Sequence, residues 1–145
     1  MTELAFHFGA PDKLAYACRL LRKAVSSGAR VVVVADHETV ALLDAQLWAL
    51  SPTEFLAHWT ETAEPSLQRR SSLMLVTQLD QALNENGVLV NLSDAVPQGF
   101  ERFERLIEVV SLDAMDRDLA RVRWRQYTER GYPIARHDLN LRRTD

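Results

Sequence analysis

The spacing of apolar residues along this chain switches between a period of two and a period of three or four, and each switch marks a new element. Leu4 to Phe8 is bulky and alternating and reads as a first strand, stopped at Gly9-Ala10-Pro11. Leu14, Cys18, Leu21 and Val25 then share one helical face. Pro11 suits the first turn of that helix and Gly28 its left-handed stop. Arg30 to Ala35 is β-branched and apolar on both faces, which marks a central parallel strand. Asp36 is placed to cap a second helix, in which Val40, Leu43, Leu47 and Leu50 recur before Ser51-Pro52 ends it.

Beyond Phe55 the chain turns polar from Thr60 to Ser72, with Glu61, Glu64, Pro65, Arg69 and Arg70, and reads as a surface loop. Leu73 to Thr77 and Val88 to Leu92 are two more buried strands, with Asn84 to Gly87 as the turn before the second. A short helix over Phe100 to Arg105 leads to a last strand, Leu106 to Val110. Asp113 or Ser111 then caps a long helix that Gly131 and Pro133 terminate. From Ala135 onward the sequence is polar, so residues from about 136 to 145 are expected to form a partly loose tail. Strands alternating with helices predict an α/β fold with a mostly parallel central sheet and helices on both faces.

Composition narrows this picture. A chain of 145 residues with 47% hydrophobic content fits one domain, residues 1–145, with one continuous core. A net charge of −3 argues against coating duplex DNA through a broad basic field, so an anionic partner must be met locally. The single cysteine excludes an internal disulfide and a thiolate metal cluster and fits a reducing cytoplasm; its place on the Leu14/Leu21 face makes Cys18 a buried small hydrophobe. No apolar run approaches the roughly 18 residues of a membrane span, and the start lacks a basic region followed by an apolar one. A cytoplasmic location without membrane contact is expected.

The devices of catalysis and phosphate binding are missing from the sequence. Gly9, Gly28, Gly87, Gly99 and Gly131 are scattered, so neither a dinucleotide fingerprint nor a P-loop can be drawn, and Pro11 removes an amide donor from the nearest candidate turn. Ser71 and Ser72 have no His or acid pattern to activate them. His7, His37, His58 and His137 are isolated in sequence, and Asp36, Glu38 and Asp44 are explained by capping and solvation. No catalytic residue, metal or cofactor is expected.

Two patches remain. The helix from Arg117 to Arg130 holds five arginines against Asp118 and Glu129, a local +3 within an acidic chain. At about 100° per residue, Met115, Leu119 and Val122 form one apolar face, while Arg117, Arg121 and Thr128 lie roughly opposite with Trp124 at their edge. Guanidinium binds carboxylate bidentately and indole offers a flat apolar wall, which suits a short peptide bearing acidic and hydrophobic groups. The structural alternative is a solvated helix whose Trp124 packs with Ala120 and Tyr127 against the domain. The second patch, Trp48, Pro52 and Phe55, lies at a helix end and turn and is either an exposed rim or a side core with Trp59.

The order of several segments resembles the chi subunit family of bacterial DNA polymerase III, accessory proteins of the clamp-loader assembly. The likeness runs through Phe6-His7-Phe8, the Val31 to Glu38 segment, LDAQLWALSPTEFLAHW (43–59), VLVNLSDAVP (88–97), FERFERLIEVV (100–110) and RWRQYTERGYP (123–133). The resemblance implies a Rossmann-like α/β fold without catalytic activity of its own. It also implies binding of the acidic C-terminal tail of single-stranded DNA-binding protein, which ends in a hydrophobic residue and a free carboxylate. Arg121 matches the family's essential tail-binding arginine, Trp124 an aromatic neighbour that is often Tyr, Arg117 a basic position one turn earlier, and Val110 an apolar contact at the strand end. Trp48, Pro52 and Phe55 resemble the surface that meets the psi subunit or an equivalent clamp-loader partner and, in some bacteria, a helicase-like repair protein; contact with DNA would be indirect. The alternatives are a diverged nucleotide-binding α/β enzyme and a direct binder of single-stranded nucleic acid that uses Trp124 as a stacking platform.

Overall fold

Four consecutive valines carry the architecture in the computed structural model, which describes residues 1–50, 58–60, 72–82 and 85–139. They form strand β2 (Val31–Val34), buried on both faces. Around it lie β1 (Glu3–Ala10), α1 (Lys13–Ser26), α2 (His37–Leu50), β3 (His58–Thr60), β4 (Leu73–Val76), β5 (Val88–Asn91), β6 (Arg105–Ser111), α3 (Ala114–Glu129) and β7 (Ile134–Asp138). The strands form one sheet in the order β3-β4-β2-β5-β6-β1-β7, and every neighbouring pair is parallel. This is the expected α/β fold.

The two-residue period of the strands divides the core into two layers. Val31 and Val33 join Leu73, Leu75 and Val90 under α1 and α2, which contribute Cys18, Leu21, Leu43 and Leu47. Val32 and Val34 face the other way and join Met74, Leu89 and Leu106 beneath Phe100, Phe103 and the Ala120/Tyr127 face of α3. Helices therefore cover both faces, as continuous apolar strands require. Cys18 is fully buried, as expected from its helical face.

Local capping explains where the helices begin. Asp36 accepts the Thr39 amide at 2.7 Å, the cap expected for α2. Asp113, of the two candidates, caps α3 by accepting the Asp116 amide at 3.2 Å, while Ser111 supports it by accepting the Asp113 amide through its hydroxyl. In α1 the cap is Asp12, which accepts the Ala15 amide, so Pro11 precedes the cap instead of occupying the first turn. Gly28, at φ 92°, supplies the left-handed stop.

Four further features differ from the sequence reading, each for a tertiary reason. The helix expected over Phe100 to Arg105 is a single 3-10 turn, Phe100–Arg102. It ends there because the Glu104 and Arg105 amides both donate to the Gly87 carbonyl, which draws the chain into β6 from Arg105. β3 was not legible in the sequence: three residues are too few to show a period, and their place is set by pairing with Leu73 to Leu75. Residues 136 to 138, expected in a loose tail, belong instead to β7, which runs along β1 from Leu4↔Ile134 to Phe8↔Asp138. Backbone pairing at a sheet edge needs no apolar side chain, which is why a polar segment forms a strand.

The fourth difference concerns α3. The apolar face of Met115, Leu119 and Val122 is not the face that packs, since Met115 is 71% and Val122 48% exposed. The helix buries Ala120, Arg123 and Tyr127. A charged side chain replaces an apolar one there because a carboxylate waits for it in the sheet.

Candidate functional site

That carboxylate is Glu108 on β6, which points from the sheet into the layer beneath α3 and is fully buried. Its Oε1 accepts Arg123 Nε at 3.0 Å, and its Oε2 accepts the Tyr127 hydroxyl at 2.6 Å and Asn91 Nδ2 at 2.9 Å. Arg123 Nη1 continues to the Asp94 carbonyl at 3.0 Å. Burial is the largest influence on Glu108 and pushes its carboxyl above the ordinary range, against the opposing pull of Arg123, Tyr127 and Asn91. Burial, reinforced by the Glu108 charge, pushes the Tyr127 hydroxyl far above the usual phenol range, so it remains a donor. Three side chains of α3 and β6 are thus locked together, and the rotation of α3 on the sheet follows.

With Arg123 and Tyr127 turned inward, the next face of α3 overhangs the C-terminal ends of β1 and β6. It encloses a groove of about 690 Å³ whose apolar lining is Phe6, Phe8, Val110, Ala120 and Trp124. The Trp124 ring meets Phe6 edge-on at 4.9 Å between centroids. Half-buried, it packs against the core on one side and lines the groove on the other. The packing of Trp124 against the domain that the structural alternative expected is therefore present.

Around this apolar lining stand Arg117, Arg121 and Arg125 from α3 and Arg136 from β7, against Glu129 as the single acid of the lining. Arg121 meets Asp118 at 3.3 Å, but both side chains are about two-thirds exposed, so the pair is screened and holds Arg121 only weakly. A concave apolar surface ringed by guanidinium groups matches an anionic ligand that also carries a hydrophobic group.

The structure brings Arg117, Arg121, Trp124 and Val110 together in this groove. It adds Phe6, Phe8, Arg125 and Arg136, which sequence reasoning missed. For Phe6 and Phe8 the signal was their i, i+2 spacing, which puts two rings on one face of β1. Arg136 gave no signal, because only the pairing of β7 with β1 brings it near α3. Pro52 and Phe55 lie outside the described residues, as does the side chain of Trp48 on α2.

Elsewhere among the described residues, several titratable groups already have partners. A second concavity of about 470 Å³ at the strand ends includes Asp12, Asp36 and Asp94. The first two of these cap α1 and α2, and the Thr39 amide holds the Asp36 carboxyl below the usual carboxylate range. His7 and His137, isolated in sequence, lie 4.6 Å apart between ring centroids because β1 and β7 pair there, and His7 Nδ1 is 2.6 Å from the Tyr16 hydroxyl. Among the described residues no three of His, Cys, Asp and Glu are grouped to hold a metal ion, and no helix is long and apolar enough to cross a membrane.

The family model described as DNA polymerase III chi subunit, HolC, matches residues 1–135. A curated protein, the DNA polymerase III subunit chi of Pseudomonas aeruginosa strain PAO1, is 32% identical over 128 residues, covering 88% of this chain and 87% of that protein.

Proposed function

This chain belongs to the DNA polymerase III chi subunit family and has a replication accessory role, and from that premise we propose that it is a non-catalytic adaptor which holds the acidic C-terminal tail of single-stranded DNA-binding protein in the α3 groove. The observation that carries the reading is the groove itself, in which an apolar lining of Phe6, Phe8, Val110 and Trp124 is ringed by Arg117, Arg121, Arg125 and Arg136. The terminal hydrophobic side chain of the tail fits the lining, and its free carboxylate meets Arg121 and Arg117 through charge-assisted hydrogen bonds. The Glu108–Arg123–Tyr127 lock supports this by fixing α3 before the ligand arrives, which lowers the ordering cost of binding.

In this reading the Trp48, Pro52 and Phe55 surface meets a psi subunit or an equivalent clamp-loader partner, and in some bacteria a helicase-like repair protein. The chain then raises the local concentration of the polymerase at the coated strand by tethering, with no bond-making step.

The test is a calorimetric titration of the chain with a peptide copying the acidic, hydrophobic-ended C-terminus of its own single-stranded DNA-binding protein, beside a C-terminally amidated control. Micromolar binding that depends on the free carboxylate is the expected outcome. Equal affinity for both peptides, or tighter binding of an oligonucleotide than of either, would refute the assignment.

A further inference from the structure

Arg136 stands apart from the other arginines of the groove in how it is held. Its guanidinium carbon lies 5.4 Å from the Phe8 ring centroid and 5.8 Å from that of Trp124, within cation–π range of both. It reaches the groove from β7, which pairs with β1 on the edge away from β6, whereas the other three arginines of the lining come from α3. Among the described residues no carboxylate pairs with it, whereas Arg121 already meets Asp118. A guanidinium resting on aromatic rings keeps its N–H edge for a planar acceptor, and less side-chain freedom is lost when that acceptor arrives.

An extended acidic peptide whose end is fixed at Arg121 has further carboxylates to place. Resting on the tail-binding reading above, the geometry points to Arg136 as a second carboxylate anchor, which reads a side-chain carboxylate of the tail's acidic run while Arg121 and Arg117 hold the terminal one. Arg136 in this role sets specificity: it separates acidic tails from neutral peptides with the same hydrophobic end. The two anchors come from elements that only the parallel β1–β7 pairing brings together.

The test pairs two protein variants with two peptides. Arg136→Gln keeps a polar stem over the rings and removes the charge; Arg121→Gln does the same at the helix. One peptide is the native tail, and the other has its acidic side chains replaced by amides while keeping the free terminal carboxylate. Arg136→Gln is expected to weaken native-tail binding about tenfold, the order of one charge-assisted pair, and to match the unmodified chain on the amide peptide. Arg121→Gln is expected to weaken both. An equal loss on both peptides would overturn the anchor, because Arg136 would then only shape the apolar wall. Full affinity in Arg136→Gln beside lost affinity in Arg121→Gln would overturn the anchor and leave the tail-binding reading standing. Full affinity in both variants would overturn the reading itself.

Discussion

Replacing Glu108 by Gln removes one charge from a layer that water does not reach, and the structure sets the size of the effect. Glu108 and Tyr127 are fully buried and Arg123 is 1% exposed, so the guanidinium would keep its charge with no counterion. Breaking a buried pair from one side costs about 3–5 kcal/mol, a large fraction of the about 5–15 kcal/mol that holds a domain of this kind together. The Tyr127 hydroxyl and Asn91 amide keep an acceptor oxygen in Gln, so they add little. Arg123→Met leaves the opposite defect, a buried carboxyl, and also drops the bond to the Asp94 carbonyl. The double variant removes both charges. Arg123 Nη2 is buried without a hydrogen-bond partner among the described residues, so taking the guanidinium out also removes an unsatisfied donor. The double variant is therefore expected to lose less than the two single variants together, by about 2–3 kcal/mol of coupling. Urea unfolding followed by circular dichroism, with the m-value compared across all four proteins, measures this. Single-variant losses that add within about 0.5 kcal/mol, or a Glu108→Gln cost below about 1 kcal/mol, would show that Glu108 and Arg123 do not form the lock described above.

Arg121→Ala should reduce tail-peptide affinity by about 2 kcal/mol, near thirtyfold, without lowering the unfolding midpoint, because its side chain is exposed. Raising salt from 50 to 300 mM should weaken the same binding in titrations, since the arginines ringing the groove face solvent. Burial opposes the charge on Asp116, but the Ser111 amide and the Lys13 ammonium at 3.0 Å outweigh it and hold the carboxyl below its ordinary value of 3.8. The unfolded chain therefore takes up that proton first, so the stabilisation is present above pH 3.8 and fades as pH falls through the folded value. Asp116→Asn should be less stable than the unmodified chain by about 1–2 kcal/mol at neutral pH, with the gap closing in acid unfolding curves. Gly87→Ala would set a Cβ 2.6 Å from the Arg30 carbonyl oxygen, and a loss of about 1–3 kcal/mol is expected in the same unfolding assay.

Much of this molecule is written in local pattern. The four valines of β2, the Leu14/Cys18/Leu21 stripe and the caps Asp36 and Asp113 each act over a few residues, and the period of the chain exposes them directly. The Arg117/Arg121/Trp124 alignment is of the same kind, since residues three or four apart on a helix must be neighbours. The tertiary structure alone decided which face of α3 would be buried. Periodicity favoured Met115, Leu119 and Val122, but Glu108, on a different element, offers Arg123 a partner that no window along α3 contains. It also decided that Arg136 would stand over Phe8 and Trp124, because β7 pairs with β1 across almost the full length of the chain. Strand pairing is satisfied by backbone groups that every residue carries, so the sequence names the strands and their inward faces, while the fold selects their neighbours and completes the groove.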